Sequence, residues 1–219
     1  MKMTVLYDNK VLKKGIGLKS DWGFACIIHT KHDTILFDTG ANGKILLQNM
    51  KTLNINPKSI KKIVISHEHS DHKGGLITLT KHVDYIDLYR LANEVPSSNM
   101  KLASAEDFKE ISNNVWSTGR LKSLVDEQSL ILKGVKGCYI LTGCSHPGLE
   151  KILDVAKQIG KIVGIVGGLH GFNKFSLLEN FDFICPCHCT SHKQDLKKAF
   201  PDSTFECGVG KIIDLSEGI

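Results

Sequence analysis

Six consecutive residues, His67-Glu68-His69-Ser70-Asp71-His72, offer three imidazoles and two carboxylates, the donor types that hold divalent transition metals. The run Ile63-Val64-Ile65-Ser66 leads into them and Gly74-Gly75 follows, so they occupy a strand-to-helix turn. In an extended segment residues two apart project the same way, which lets His67 and His69 share one ion while Glu68 points elsewhere. Asp71 and His72, beside the helix start, can face a second ion. The bland alternative is a solvated charged loop. Against it, buried imidazoles and carboxylates are costly without partners, and two more histidines also follow strand-like runs: His146 in Thr142-Gly143-Cys144-Ser145-His146 and His188 in Pro186-Cys187-His188.

The elements that must position these residues are legible as alternating patterns. Met3 to Tyr7, Phe24 to His29, Thr34 to Phe37, Ile63 to Ser66, Leu130 to Leu132, Cys138 to Thr142, Ile162 to Val166 and Phe181 to Cys185 read as strands. Lys44 to Lys51, Gly75 to His82, Ser104 to Ile111, Gly148 to Ile159 and Ser191 to Phe200 have helical spacing and composition, with Pro201 stopping the last. Early strands come as hairpins and later ones alternate with helices, which predicts an α/β chain with two sheets between helices. No repeat or linker divides residues 1–219, so one domain is expected, with Asn93 to Asn99 as a loop.

Composition narrows the partners. The formal charge of +5 is spread over scattered lysines rather than a block, a pattern that disfavours nucleic acid and leaves anionic small molecules as partners. Asp8 interrupts the N-terminus before any apolar run long enough for a signal peptide, and no later stretch approaches a membrane span. A cytoplasmic location with no membrane partner is expected. Three of the seven cysteines crowd into Cys185-Pro186-Cys187-His188-Cys189, a spacing poor for mutual disulfides and in keeping with a reducing compartment. A structural zinc site there lacks the paired Cys-x2-Cys knuckles, and most of these cysteines read as small buried apolar residues.

The set His67, His69, Asp71, His72 resembles the His-x-His-x-Asp-His signature of the metallo-β-lactamase superfamily, with similarity running from about Val5 to Gly210. The resemblance implies an αββα sandwich of two mixed sheets flanked by helices, with metals at one sheet edge. It implies two divalent ions, zinc first and iron, manganese or nickel as alternatives. His146 would complete the first site and His188 the second, and Asp38 in Leu36-Phe37-Asp38-Thr39-Gly40 would support the ligand loop, where physics also wants a carboxylate.

Further motifs are similar to a narrower branch, the one named for dihydropterin ribofuranosyl-aminobenzene phosphate synthase: Asp71-His72-Lys73-Gly74-Gly75-Leu76, Asp126-Glu127-Gln128-Ser129-Leu130, Thr142 to Gly148, Gly167-Gly168-Leu169-His170 and Pro186-Cys187-His188-Cys189-Thr190. One departure from the wider superfamily stands out. Many members end the strand after the third-ligand His in a bridging Asp, whereas Ile162 to Gly168 ends here in Leu169-His170. His170 has three readings: an extra ligand, a substrate or proton-transfer residue, or a buried structural His. The second is carried forward, because Gly167-Gly168 lets the backbone approach the metal edge. With Asp71 as the only carboxylate ligand, two divalent ions keep a formal +3, which favours anions.

The leading expectation is therefore a metal-dependent hydrolase with a dinuclear site acting on an anionic, phosphorylated small molecule. Asp71 would orient or deprotonate a metal-activated water and His170 would hydrogen-bond the phosphate or leaving group. The alternative is a phosphoribosyl-type transferase related to the branch synthase. A non-catalytic metal-binding or sensing module is the reading from another class, although a structural zinc closes with four ligands and needs no second set. A redox role would call for carboxylate-rich ligands and a flavin domain that this length does not contain.

Overall fold

Side-chain alternation decides the layering. In the computed structural model, which describes residues 1–12 and 15–216, β1 (Lys2–Tyr7), β2 (Ala25–His29) and β3 (Thr34–Phe37) form an antiparallel meander. To it β4 (Lys62–Val64), β5 (Ile86–Tyr89) and β6 (Met100–Ala103) add in parallel. The second sheet runs from β7 (Lys109–Ser112) through β8 (Val115–Ser117) and β9 (Leu130–Lys133) to β10 (Cys138–Thr142), all antiparallel. It continues in parallel into β11 (Ile162–Gly168) and β12 (Phe183–Cys187). A last strand, β13 (Ile212–Asp214), pairs with β1 at the edge of the first sheet.

Met3, Val5, Cys26, Ile28, Ile35 and Phe37 on one sheet meet Leu130, Leu132, Tyr139 and Leu141 on the other in a shared core. The alternate residues face outward. Ile27, Leu36 and Ile63 pack under α1 (Gly43–Thr52) and α3 (Leu76–Leu79), while Ile131, Ile140 and Ile165 pack under α4 (Leu149–Ala156) and α5 (Lys193–Ala199). With both faces covered, the central strands carry apolar residues in succession rather than at every second position. The result is an αββα sandwich of two mixed sheets. Among the described residues no helix is long and apolar enough to cross a membrane.

Two readings of the sequence need correction. Ser104 to Ile111 is not a helix: its second half is β7, hairpinned to β8 with Ser112 paired to Val115. Asn113-Asn114 makes the turn, with Asn114 at φ +64°, and such a two-residue turn overrides helical composition. The strand placed at Phe181 to Cys185 lies two residues later and includes Pro186. Proline is tolerated there because β12 is an edge strand of the sheet.

Candidate metal centre

Every histidine of interest follows the carboxyl end of a parallel strand. β3 runs into Asp38, β4 into Ser66-His67, β10 into Gly143 to His146, β11 into His170 and β12 into His188. Both sheets thus open onto one edge, the place where α/β sheets bind ligands. His69 caps the short α2 (Ser70–Lys73), which carries Asp71 and His72. The two edges touch at Gly143, where a Cβ would stand 2.2 Å from Ser66 Oγ; only glycine fits that approach.

Outward-facing ring nitrogens are tied down and inward-facing ones converge. His72 Nδ1 lies 2.7 Å from Asp38 Oδ2, His146 Nδ1 2.8 Å from Glu127 Oε2, and His67 Nδ1 2.9 Å from Ser66 Oγ. Asp38 is itself anchored, accepting from Ser66 N–H and Ser66 Oγ–H at 2.7 and 2.8 Å. On the inner side, His188 Nε2 stands 3.1 Å from His72 Nε2 and 3.2 Å from Asp71 Oδ2. His146 Nε2 stands 3.1 Å from His170 Nε2. Among the described residues, His67 Nε2 is buried with no hydrogen-bond partner, a costly state for a polar atom.

Burial pushes His67 and His72 down to about 3, so both imidazoles are neutral at pH 7. Burial pushes Asp38 up to about 7. It would raise Asp71 and Glu127 too, but the hydrogen bond from His188 and the field of His72 hold Asp71 below the usual carboxylate range. Hydrogen bonding from His146 and backbone N–H groups, with the field of His67, does the same for Glu127. A carboxylate on Nδ1 fixes the tautomer and leaves Nε2 as a lone-pair donor. Such a donor set fits divalent transition-metal ions: two triads, His67 with Cys144 and His146, and His72 with Cys144 and His188, each have their ligand atoms within 4.8 Å of one another.

Of the residues singled out in the sequence, His67, His72, His146, His188 and Asp71 thus converge, and Asp38 sits behind His72. His69 joins through ring contacts, its centroid 4.7 Å from His67 and 5.0 Å from His146. His170 is exposed beside His146. Glu68 points away, paired with Lys73 and Arg90. Sequence reasoning missed two residues. Glu127, fully buried, accepts at Oε1 from Thr142 Oγ1–H and from the N–H groups of Gly143, Cys144 and Ser145, and at Oε2 from the N–H of His146. An acidic residue just ahead of the apolar run Leu130 to Leu132 was the available signal. Cys144, given no role of its own in the sequence, lies with Sγ 3.3 Å from His72 Nε2.

Asp38, Ser145, His170 and His188 all hold positive φ, between 44° and 61°. Left-handed backbone costs a non-glycine residue on the order of 1–3 kcal/mol, and these four turns follow β3, β10, β11 and β12. Two clefts flank the centre. One of about 350 Å³ is lined by Ser70, Lys73, Ile77, Arg90 and Pro96, and one of about 200 Å³ by Ser145, His170, Asn173 and Lys174. Trp22, 57% exposed, lays its ring 5.0 Å from that of His188.

Comparison with known proteins agrees with this fold. A family model for the metallo-β-lactamase superfamily matches residues 23–153. An uncharacterized protein of Methanocaldococcus jannaschii is 29% identical, over 96% of this chain and 99% of its own length. The same organism's 7,8-dihydropterin-6-methyl-4-(β-D-ribofuranosyl)-aminobenzene-5'-phosphate synthase is 26% identical over 82% of this chain and 83% of its own. A crystal structure of a metal-dependent hydrolase of the β-lactamase superfamily is 25% identical, covers 99% of both chains and superposes with a TM-score of 0.76.

Proposed function

The chain belongs to the metallo-β-lactamase superfamily, and from that premise we propose that it is a hydrolase with a dinuclear metal centre acting on an anionic, phosphorylated small molecule. The observation that carries the proposal is the orphaned, buried Nε2 of His67 in a centre whose other Nε2 atoms also point inward. His67, His69 and His146 would hold one ion, and Asp71, His72 and His188 the other. Bound divalent ions supply Lewis acidity and lower the pKa of a water toward neutrality.

The remaining work falls to the chain's own groups. Asp71, kept ionised, accepts a hydrogen bond from the attacking water and orients it. His170 lines the cleft that also holds Lys174, and from there donates to an anionic oxygen of the substrate. Trp22 offers a flat apolar wall for the substrate's uncharged part. The test is a panel of phosphoesters, lactones and thioesters, with metal content measured on the same preparation and His69→Ala as the control. Phosphoester turnover that disappears with the metal in His69→Ala is the expected result; turnover indifferent to metal, or none across the panel, refutes the proposal.

Similarity to the methanogen synthase over most of both chains favours a second reading, phosphoribosyl-type transfer at the same centre. Pyrophosphate release that depends on both a phosphoribosyl donor and an aromatic amine acceptor would select it over hydrolysis.

A further inference from the structure

Among the described residues, every potential ligand cluster shares one thiol. Cys144 Sγ belongs to the triad of His67 and His146, to that of His72 and His188, and to a third set with His170 and Cys189. It lies 3.3 Å from His72 Nε2 and 3.3 Å from Cys189 Sγ, and Cys144 is 2% exposed. The geometry points to Cys144 as a thiolate that bridges the two metal positions, an inference that rests on the dinuclear reading above.

Charge and space both favour sulfur in this role. Two divalent ions at neighbouring positions repel, and an anion between them relieves that repulsion. Carboxylates cannot take the place. Asp71 is committed to the His72 and His188 side, and Glu127 spends its oxygens on the backbone of residues 143–146 and on Thr142 and His146. The end of β11 is closed as well: a Cβ on Gly168 would stand 2.4 Å from Gly143 O and 2.6 Å from Cys189 Sγ, and Leu169 is buried at 1%. Glu127 also fixes the sulfur by accepting from the Cys144 N–H at 2.9 Å. On metal binding the thiol gives its proton to solvent, and Cys189 S–H is placed to donate to the resulting thiolate. Thiolates hold both zinc and cobalt well.

The experiment titrates the metal-free full-length protein with cobalt(II) and follows the near-ultraviolet sulfur-to-cobalt charge-transfer band alongside the visible ligand-field bands. In the wild type the charge-transfer band should grow with both the first and the second equivalent, since one bridging sulfur meets each ion. Cys144→Ser, nearly isosteric, should keep the native melting cooperativity, lose the charge-transfer band and weaken the second equivalent on the order of tenfold or more. Cys189→Ser should keep the band. A band saturating at one equivalent makes Cys144 a terminal ligand and overturns the bridge. So does a wild-type protein that binds two equivalents with ligand-field bands alone, or a Cys144→Ser protein that keeps the band. Failure of the wild type to bind cobalt at all overturns the dinuclear reading along with the bridge.

Discussion

Replacing Glu127 by Gln removes one charge and exchanges one acceptor for a donor at a site where the geometry leaves no neutral choice. Oε1 faces four donors, the Thr142 hydroxyl and the N–H groups of Gly143, Cys144 and Ser145, at 2.9 to 3.1 Å. Oε2 faces the His146 N–H at 3.0 Å and His146 Nδ1 at 2.8 Å. The amide NH2 must therefore take the Oε2 side. It confronts the backbone N–H of His146 and forces the ring to accept at Nδ1, which moves the proton to Nε2. Hydrogen bonds to a charged group are worth about 1.5–3 kcal/mol each, so disrupting two costs about 3–6 kcal/mol, or a melting point lower by roughly 6–24 °C for a chain of this size. The tautomer change also removes His146 Nε2 as a lone-pair donor, and metal affinity should fall by at least about 10–100-fold. Thermal melting of the metal-free protein and chelator competition on the loaded one measure the two effects separately. A Glu127→Gln protein that melts within a degree of wild type and competes equally for metal would refute the account of Glu127 as the anchor of the His146 loop.

His170→Ala should keep its full metal complement and lose turnover by about 1–3 kcal/mol of transition-state stabilisation; metal analysis and kinetics on one preparation check it, and parallel loss of metal would make His170 a ligand instead. In the metal-free protein His67 and His72 are held down to about 3 against the ordinary 6.5, so between those values the unfolded chain binds more protons and stability falls as pH falls. Asp38, raised to about 7 from 3.8, opposes them by keeping a proton that the unfolded chain loses. Asp8, raised to about 6 by burial, opposes in the same way, while His29 and His170 are also lowered by burial and add to the loss. Four histidines against two aspartates leave a net loss on the order of 1 kcal/mol between pH 7 and pH 5; urea melts at the two pH values measure it, and greater stability at pH 5 contradicts the sign.

How much was legible followed from how local the information is. His67 to His72, His146 and His188 stand out because clustered polar donors at strand ends have few other reasons to exist, and β1 to β4 and β9 to β11 stand out through apolar runs. The middle of the chain was harder. β5 and β6 contain Asp87, half-buried, and Lys101, exposed, whose charges break the apolar run that flags a buried strand, and the Asn113-Asn114 turn that makes β7 and β8 a hairpin was outweighed by helical composition upstream. Glu127 and Cys144 were hard to read for a different reason. Their partners lie 15 to 72 residues away along the chain, and no local pattern distinguishes a cysteine facing imidazoles from one filling a core. Cys185 and Cys187, two residues apart, do fill the core between the sheets, while His188 and Cys189 beyond them do not.

The left-handed turns at Asp38, Ser145, His170 and His188 bear on how the centre would acquire metal. A loop that must order itself around a metal charges that ordering against affinity and slows capture. Here the unfavourable torsions stand directly at the ends of paired strands, whose ladders hold the turns in place. Donor atoms held by such turns would form a cage with little chain motion left to quench, so uptake would involve mainly shedding of the ion's water and of ligand protons. Selection among metals then rests on how well an ion's size and preferred coordination match an unyielding cage, rather than on how far the cage can close around it.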